Sequence, residues 1–338
     1  MRESKAVIFG LGGLVPTREE IAFFRDQRPW GYILFARNLK EAEQISDLVA
    51  TLKDISGGDS VPVLIDQEGG RVQRIREPLC PRYPSGADLG AIWKADREKG
   101  KRAAWLMSRL HAFDLLKFGI NVDCLPVLDV PVEGANDVIG NRAYGKEPVI
   151  VSEMGRAAAE GLKAGGVLLV MKHIPGHGRG MADSHLALPV VETPLAELEA
   201  HDFPPFKALA NELMAMSAHV VYTAIDPDRP ATTSAKVISD IIRGQIGFKG
   251  LLMSDDVSMN ALAGTISERA KAIAANGCDV ILHCNGLMEE MIAVAGQAPV
   301  LAGESLIRAQ RVEAAFGVPD TSDEAAVRAE FASLLPMV

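Results

Sequence analysis

Four short stretches gather side chains able to do chemistry, most of them where an apolar run ends. The first, Asp66-Gln67-Glu68-Gly69-Gly70-Arg71-Val72-Gln73-Arg74, directly follows the run 61–65. Two carboxylates and two arginines around a Gly-Gly turn suit a pocket that hydrogen-bonds hydroxyl groups. An exposed charged loop is the plainer reading of the same residues. The second, Gly140-Asn141-Arg142-Ala143-Tyr144, sits in a long connection and, taken alone, reads as a surface loop. The third is Lys172-His173-Ile174-Pro175-Gly176-His177-Gly178, followed by Asp183-Ser184-His185. Lys172 and His173 emerge straight from an apolar run, where a charge needs a partner or a ligand. Pro175 and Gly176 then turn the chain out into a loop. Asp183 and His185 are two apart, close enough on a folded loop for the carboxylate to orient and bias the imidazole. His173, His177 and His185 are also a conceivable metal set. Pro-Gly between the first two precludes the one-face helical pair of zincin-like sites, so no metal is expected. The fourth stretch, Ser254-Asp255-Asp256, closes the run 251–253. A carboxylate there can act as a nucleophile or cap the next helix. With two aspartates both readings hold if Asp255 points inward and Asp256 caps or braces.

These clusters need a scaffold that brings strand ends together. Apolar runs of strand type recur at 6–9, 32–35, 61–65, 122–130, 167–171, 213–221, 251–253 and 280–282. Most are continuous rather than alternating, as in parallel strands buried on both faces. Amphipathic helical segments lie between them, at 17–28, 39–52, 96–118, Pro148–Ala164, 195–211, 235–246, 268–276 and 303–316. The first opens with a Thr17-x-x-Glu20 capping box, and Gly165-Gly166 and Asn276-Gly277 read as helix stops just before strands. Alternating strands and helices predict an α/β fold. The count of eight favours a closed (β/α)8 TIM-type barrel over a doubly wound sheet. The latter needs a Gly-rich phosphate turn, and Gly10-Leu11-Gly12-Gly13 reads better as a tight turn. Active sites of such barrels lie at the C-terminal ends of the strands, which is where the clusters fall. No linker, repeat or low-complexity tract interrupts the chain, so 1–338 reads as a single catalytic barrel domain with a C-terminal helical tail from 321.

The formal net charge of −9 comes without any basic run, so neither nucleic acid nor an anionic membrane surface is an expected partner. Cys80, Cys124, Cys278 and Cys284 are scattered without a Cys-x-x-Cys pair, as packed thiols in a reducing compartment would be. The opening residues show no sustained apolar region or cleavage signature, and no stretch reaches the roughly 18 apolar residues of a membrane span. A cytoplasmic protein is expected.

Taken together, DQEGGRVQR (66–74), KHIPGHG (172–178) with DSH (183–185), AHVVY (218–222) and SDDVSM (254–259) closely resemble the family 3 glycoside hydrolases. Within that family they are most similar to the single-domain bacterial β-N-acetylhexosaminidases of peptidoglycan recycling. The likeness runs in order through most of the chain; before residue 61 it is thin and carries no functional residue. It implies Asp255 as the nucleophile that forms a covalent glycosyl-enzyme. It also implies His185 as general acid and then general base, with Asp183 holding its imidazole. Asp66, Arg74, Arg142, Lys172 and His173 would bind the hydroxyls of N-acetylglucosamine (GlcNAc). A His–Asp dyad departs from the usual pair of carboxylates. Imidazole nevertheless titrates near neutrality, so it can deliver a proton and take one back within a cycle.

The resemblance further implies a retaining exo-enzyme that removes non-reducing terminal β-linked GlcNAc, needs no cofactor and works as a monomer. Its substrate would be a small carbohydrate, a muropeptide carrying GlcNAc-1,6-anhydroMurNAc. Four rivals remain open. β-Glucosidases and β-xylosidases of the family carry a second domain with a carboxylate acid/base, for which this chain has neither length nor tail. A GlcNAc phosphorylase would use phosphate in place of water. A metal-dependent amidohydrolase shares the fold. A non-catalytic sugar-binding protein would need neither Asp255 nor the DSH loop.

Overall fold

A strand covered on both faces must be apolar at nearly every position, and the continuous runs do form such strands. The computed structural model describes residues 3–181 and 188–335. Nine segments build its main sheet: β1 (Lys5–Gly10), β2 (Pro29–Leu34), β3 (Val63–Ile65), β4 (Val122–Asp123), β5 (Leu168–Leu169), β6 (Met171–Ile174), β7 (Met214–Ser217), β8 (Leu251–Asp256) and β9 (Val280–His283). Their order is β5-β4-β3-β2-β1-β9-β8-β7-β6, and every neighbouring pair is parallel. The two ends of that order, β5 and β6, are one run of chain interrupted only at Val170. The Val170 N–H bonds Asp123 O at 2.9 Å, and the Lys172 N–H bonds Pro126 O at 3.0 Å. The ring thus closes through one broken stave, giving the expected α/β barrel of eight parallel staves.

Strand alternation sorts the apolar residues into two layers. Ile8, Ile33, Leu64, Val122, Val170, Met253 and Leu282 pack in one cluster inside the ring. Their neighbours Val7, Phe9, Tyr32, Leu34, Val63, Ile65, Leu252 and Ile281 pack outward with the helices. The first helix, Arg18–Gln27, starts with the expected capping box between Thr17 and Glu20. Gly166 and Gly277 take left-handed φ values of 78° and 109°, as helix stops require. All four cysteines are buried and free. Among the described residues no helix is long and apolar enough to cross a membrane.

Several boundaries differ from expectation. The run 122–130 is regular only over Val122–Asp123, because Pro126 has no N–H for a ladder. The rest continues as irregular chain tied to β6 by a Val127–Lys172 bridge. The run 213–221 leaves the barrel after Ser217, and Val221–Tyr222 pairs instead with Val190–Val191 in a small separate sheet. The segment 195–211 is two short helices, Leu195–His201 and Pro204–Ala208, divided at two prolines that cannot continue a helix. The segment 235–246 winds as a π-helix over Val237–Gln245. Helices Gly86–Ala95 and Met288–Ala295 were not anticipated. The last helix, Glu324–Leu334, docks on Arg97–Leu116, with Arg328 Nη2 2.6 Å from Asp114 Oδ1.

Candidate active site

At the C-terminal ends of the staves lies a cavity of about 340 Å³. Its base is a chain of ion pairs. Asp66 follows β3 immediately, and Glu68 sits in the hairpin Gln67–Gly69/Val72–Gln73 that replaces an ordinary βα loop. Lys172, on β6 and 2 % exposed, reaches both carboxylates, with Nζ 2.7 Å from Asp66 Oδ1 and 2.6 Å from Glu68 Oε1. Arg142 grips Glu68 with two bonds of 2.8 Å, from Nε and Nη2, a bidentate geometry that fixes both planes. Arg74 donates to Asp66 Oδ2 at 3.0 Å and lies 5.1 Å from the centre of the Phe35 ring.

Electrostatics follow from this pairing. Burial alone would push the Asp66 carboxyl up, but Lys172 and Arg74 outweigh it and hold the group well below the usual range. Burial likewise opposes Arg142 and Lys172 at Glu68, and the cations bring its value down to about 2. For Lys172 burial works downward, and the two carboxylates more than offset it, so the ammonium stays charged. The cavity therefore offers charged donors and acceptors already locked in place, an arrangement suited to a ring of neutral hydroxyls.

Lys172 and His173 are joined by a cis peptide bond and both line the cavity. His173 Nδ1 is 2.7 Å from Asp129 Oδ2. Asp129 Oδ1 accepts from the backbone N–H of His173 at 3.2 Å and of His177 at 2.6 Å. His177 also lines the cavity, and burial, more than any other influence, lowers its imidazole to about 4. It is neutral at physiological pH.

On the opposite side, β8 ends in Asp255 and Asp256. Met253 is level with Val280 on β9 but Asp256 with Leu282, so β8 carries one extra residue there. Such a bulge re-aims side chains, and both aspartates line the cavity. Asp256 is tied down: its carboxylate accepts from Ser258 N at 3.1 Å and Cys284 N at 3.1 Å. It braces a turn rather than capping a helix. Asp255 Oδ1 accepts from Asp256 N at 2.8 Å. Phe35, Met216, Met259 and Leu282 supply apolar wall.

The structure therefore gathers Asp66, Arg74, Arg142, Lys172, His173 and Asp255 in one cavity. Asp183 and His185 lie outside the described residues. Arg142, a surface-loop residue when read alone, is brought in by the helix Gly86–Ala95. A Cβ on Gly86 would collide with the Arg142 carbonyl and one on Gly90 with the Tyr144 carbonyl, so only glycine permits this approach. Three members were missed by sequence reasoning. Glu68 stood beside Asp66 as a hydroxyl-binding carboxylate but not among the sugar ligands that the family resemblance implies, and His177 only as a conceivable metal ligand. Asp129 was hidden in the run 122–130, where two carboxylates among apolar residues, Asp123 and Asp129, were the signal that partners must exist. Among the described residues no group of three or more His, Cys, Asp or Glu side chains is arranged to hold a metal ion.

Known proteins share this architecture. The family model described as the N terminal domain of glycosyl hydrolase family 3 matches residues 15–315. The chain belongs to glycosyl hydrolase family 3. Among its relatives in that family, the beta-hexosaminidase of Aromatoleum aromaticum is 35% identical over 321 residues, covering 94% of this chain and 88% of that protein. The beta-hexosaminidase of Neisseria meningitidis serogroup C is 40% identical over 274 residues, 80% of this chain and 75% of that protein. The crystal structure of NagZ from Neisseria gonorrhoeae in complex with N-trifluoroacetyl-D-glucosamine superposes with a TM-score of 0.85 at 33% identity. That match covers 99% of this chain and 97% of the other. As a family 3 member the chain is a glycoside hydrolase.

Proposed function

We propose that this glycoside hydrolase is a retaining exo-β-N-acetylglucosaminidase. The observation that carries the reading is Asp255, a half-buried carboxylate lining the same cavity as the Asp66–Lys172–Glu68–Arg142 network, in a family 3 enzyme. At about 340 Å³ the cavity lies at the small end of ligand pockets, which run from about 300 to 1,000 Å³, and this suits one terminal sugar.

In the first step Asp255 attacks the anomeric carbon, the bond to the leaving oxygen breaks, and His185 gives that oxygen its proton. In the second, water attacks the same carbon, His185 takes the water proton, and the Asp255 ester is released. Two inversions leave the β configuration. Asp183 supports the His185 imidazole. Asp66, Arg74, Arg142, Lys172 and His173 seat the GlcNAc ring. The roles of Asp183 and His185 rest on their match to the family's DSH motif. The same resemblance supports muropeptides bearing GlcNAc-1,6-anhydroMurNAc as natural substrate, a cytoplasmic site of action, and a monomeric enzyme built as one catalytic domain over 1–338.

Hydrolysis of aryl β-GlcNAc, aryl β-glucoside and aryl β-GalNAc, followed by proton NMR, tests the reading. The β-GlcNAc substrate should react fastest and its sugar should appear first as the β anomer. First appearance of the α anomer would mean inversion and overturn the mechanism. His185→Ala should slow substrates with poor leaving groups by at least about a hundredfold more than activated aryl ones, since only the former need protonation. Equal losses on both kinds would make His185 a structural residue.

A further inference from the structure

Asp129 is fully buried and takes three donors at once: the His173 ring and the backbone N–H groups of His173 and His177. The irregular chain after β4 carries it there, with the Leu128 N–H bonded to Lys172 O at 2.7 Å. An ionised carboxylate only accepts hydrogen bonds. The imidazole nitrogen facing it, Nδ1, must therefore carry a hydrogen whether the ring is neutral or charged. Nε2 is then the ring atom left for the cavity that His173 lines. His177, whose ring centre is 5.8 Å from that of His173, meets Asp129 through its backbone N–H.

We propose that Asp129 is a positioning residue that holds His173 in its Nδ1–H form, turns Nε2 toward the sugar, and pins the turn from His173 to His177. Burial would raise the Asp129 carboxyl, but the two histidines bring it down to about 2, so it remains an anion under working conditions. Second-layer carboxylates fix the tautomer of an imidazole in just this way. Asparagine at 129 keeps the shape and can still accept both backbone bonds. It would also present an N–H to Nδ1, which makes Nδ1 the acceptor of a neutral ring and moves the ring hydrogen to Nε2. The face offered to the sugar then changes from acceptor to donor.

The inference rests on the reading of His173 as a sugar ligand, and the experiment separates the two. Nitrogen-15 NMR of the full chain, with the His173 signal identified by its loss in His173→Ala, reports the tautomer directly. Wild type should show a protonated Nδ1 and Asp129→Asn a protonated Nε2. An unprotonated Nδ1 in wild type, or the same tautomer in both proteins, would overturn the proposal. With aryl β-GlcNAc, Asp129→Asn should lower kcat/KM about ten- to a hundredfold, mainly through KM. In a His173→Ala background the same substitution should change it less than about twofold. An undiminished effect there would mean that Asp129 acts through the fold rather than through His173, and would overturn the proposal. A wild-type KM in His173→Ala would instead remove His173 from the sugar site, while the tautomer measurement would still decide what Asp129 does to the ring.

Discussion

Asp255→Ala is expected to lower kcat on aryl β-GlcNAc by on the order of 10⁴-fold, with the melting temperature changed by no more than about two degrees. The asymmetry follows from where the residue sits. Asp255 is half-buried at the rim of the cavity rather than packed in the core, so deleting its carboxylate leaves no apolar cavity behind. The bulge on β8 stays anchored by its neighbours: Ser254 Oγ accepts from Leu282 N at 2.9 Å, and Asp256 holds Ser258 and Cys284. What disappears is the atom that attacks carbon. Azide offered to the variant should enter the vacated space, attack the anomeric carbon as the aryl group leaves, and give the α-glycosyl azide. Near-normal kcat without azide would remove Asp255 from the nucleophile role.

The second large effect is expected at Lys172→Met. Among the described residues Lys172 is the one cation bonded to both buried carboxylates of the cavity base, and methionine replaces its length but not its charge. Breaking a buried pair from one side typically costs about 3–5 kcal/mol, because the remaining charge stays buried. Arg74 and Arg142 keep one bond set each to Asp66 and Glu68, which places this variant near the lower figure, about 3 kcal/mol. Urea unfolding measures it. KM should rise at least about tenfold, because the acceptors that seat the sugar lose their fixed geometry; an unchanged KM would mean that Lys172 serves stability alone.

A pH dependence accompanies it. Glu68 falls from an ordinary 4.5 to about 2 in the folded protein, so the folded state binds fewer protons than the unfolded one. Its contribution to stability is complete above pH 4.5 and drains away as the pH falls toward 2. Asp66, also held low, acts with the same sign. Without the Lys172 ammonium both folded-state carboxyls move back toward their unfolded values. Less proton uptake then accompanies unfolding, so the loss of stability between pH 4.5 and about 2 should be smaller in Lys172→Met than in wild type. An acid limb identical to wild type would show that the pairing seen at Lys172 has no energetic weight.

Much of this was legible in the residues because it depends on local pattern. Continuous apolar runs such as 61–65 and 251–253 end in Asp66 and Asp255, and a strand end is where a barrel builds its site. The Thr17–Glu20 box and the Gly165-Gly166 stop are equally local. What escaped depends on partners far along the chain. Asp129 gains meaning only when Pro126 breaks β4 and the following residues bond across to Lys172. Arg142 looked like a loop residue because Glu68, its partner, is 74 positions away. The helix Gly86–Ala95 carries two glycines, Gly86 and Gly90, that weaken its signal, yet those glycines are what let it press against the Arg142 loop. The π-helix at Val237–Gln245 has the same apolar spacing as an α-helix over so short a length, so periodicity could not separate them.

A retaining two-step mechanism requires Asp255 to become covalently bonded to the sugar. Incubation with a fluorinated GlcNAc analogue that forms its glycosyl-enzyme faster than water releases it, followed by peptide mapping in a mass spectrometer, reads that bond directly. One added sugar mass per chain is expected, located on Asp255 and absent from Asp255→Ala. A sugar attached to any other residue, or complete loss of activity with no attached sugar at all, would contradict it.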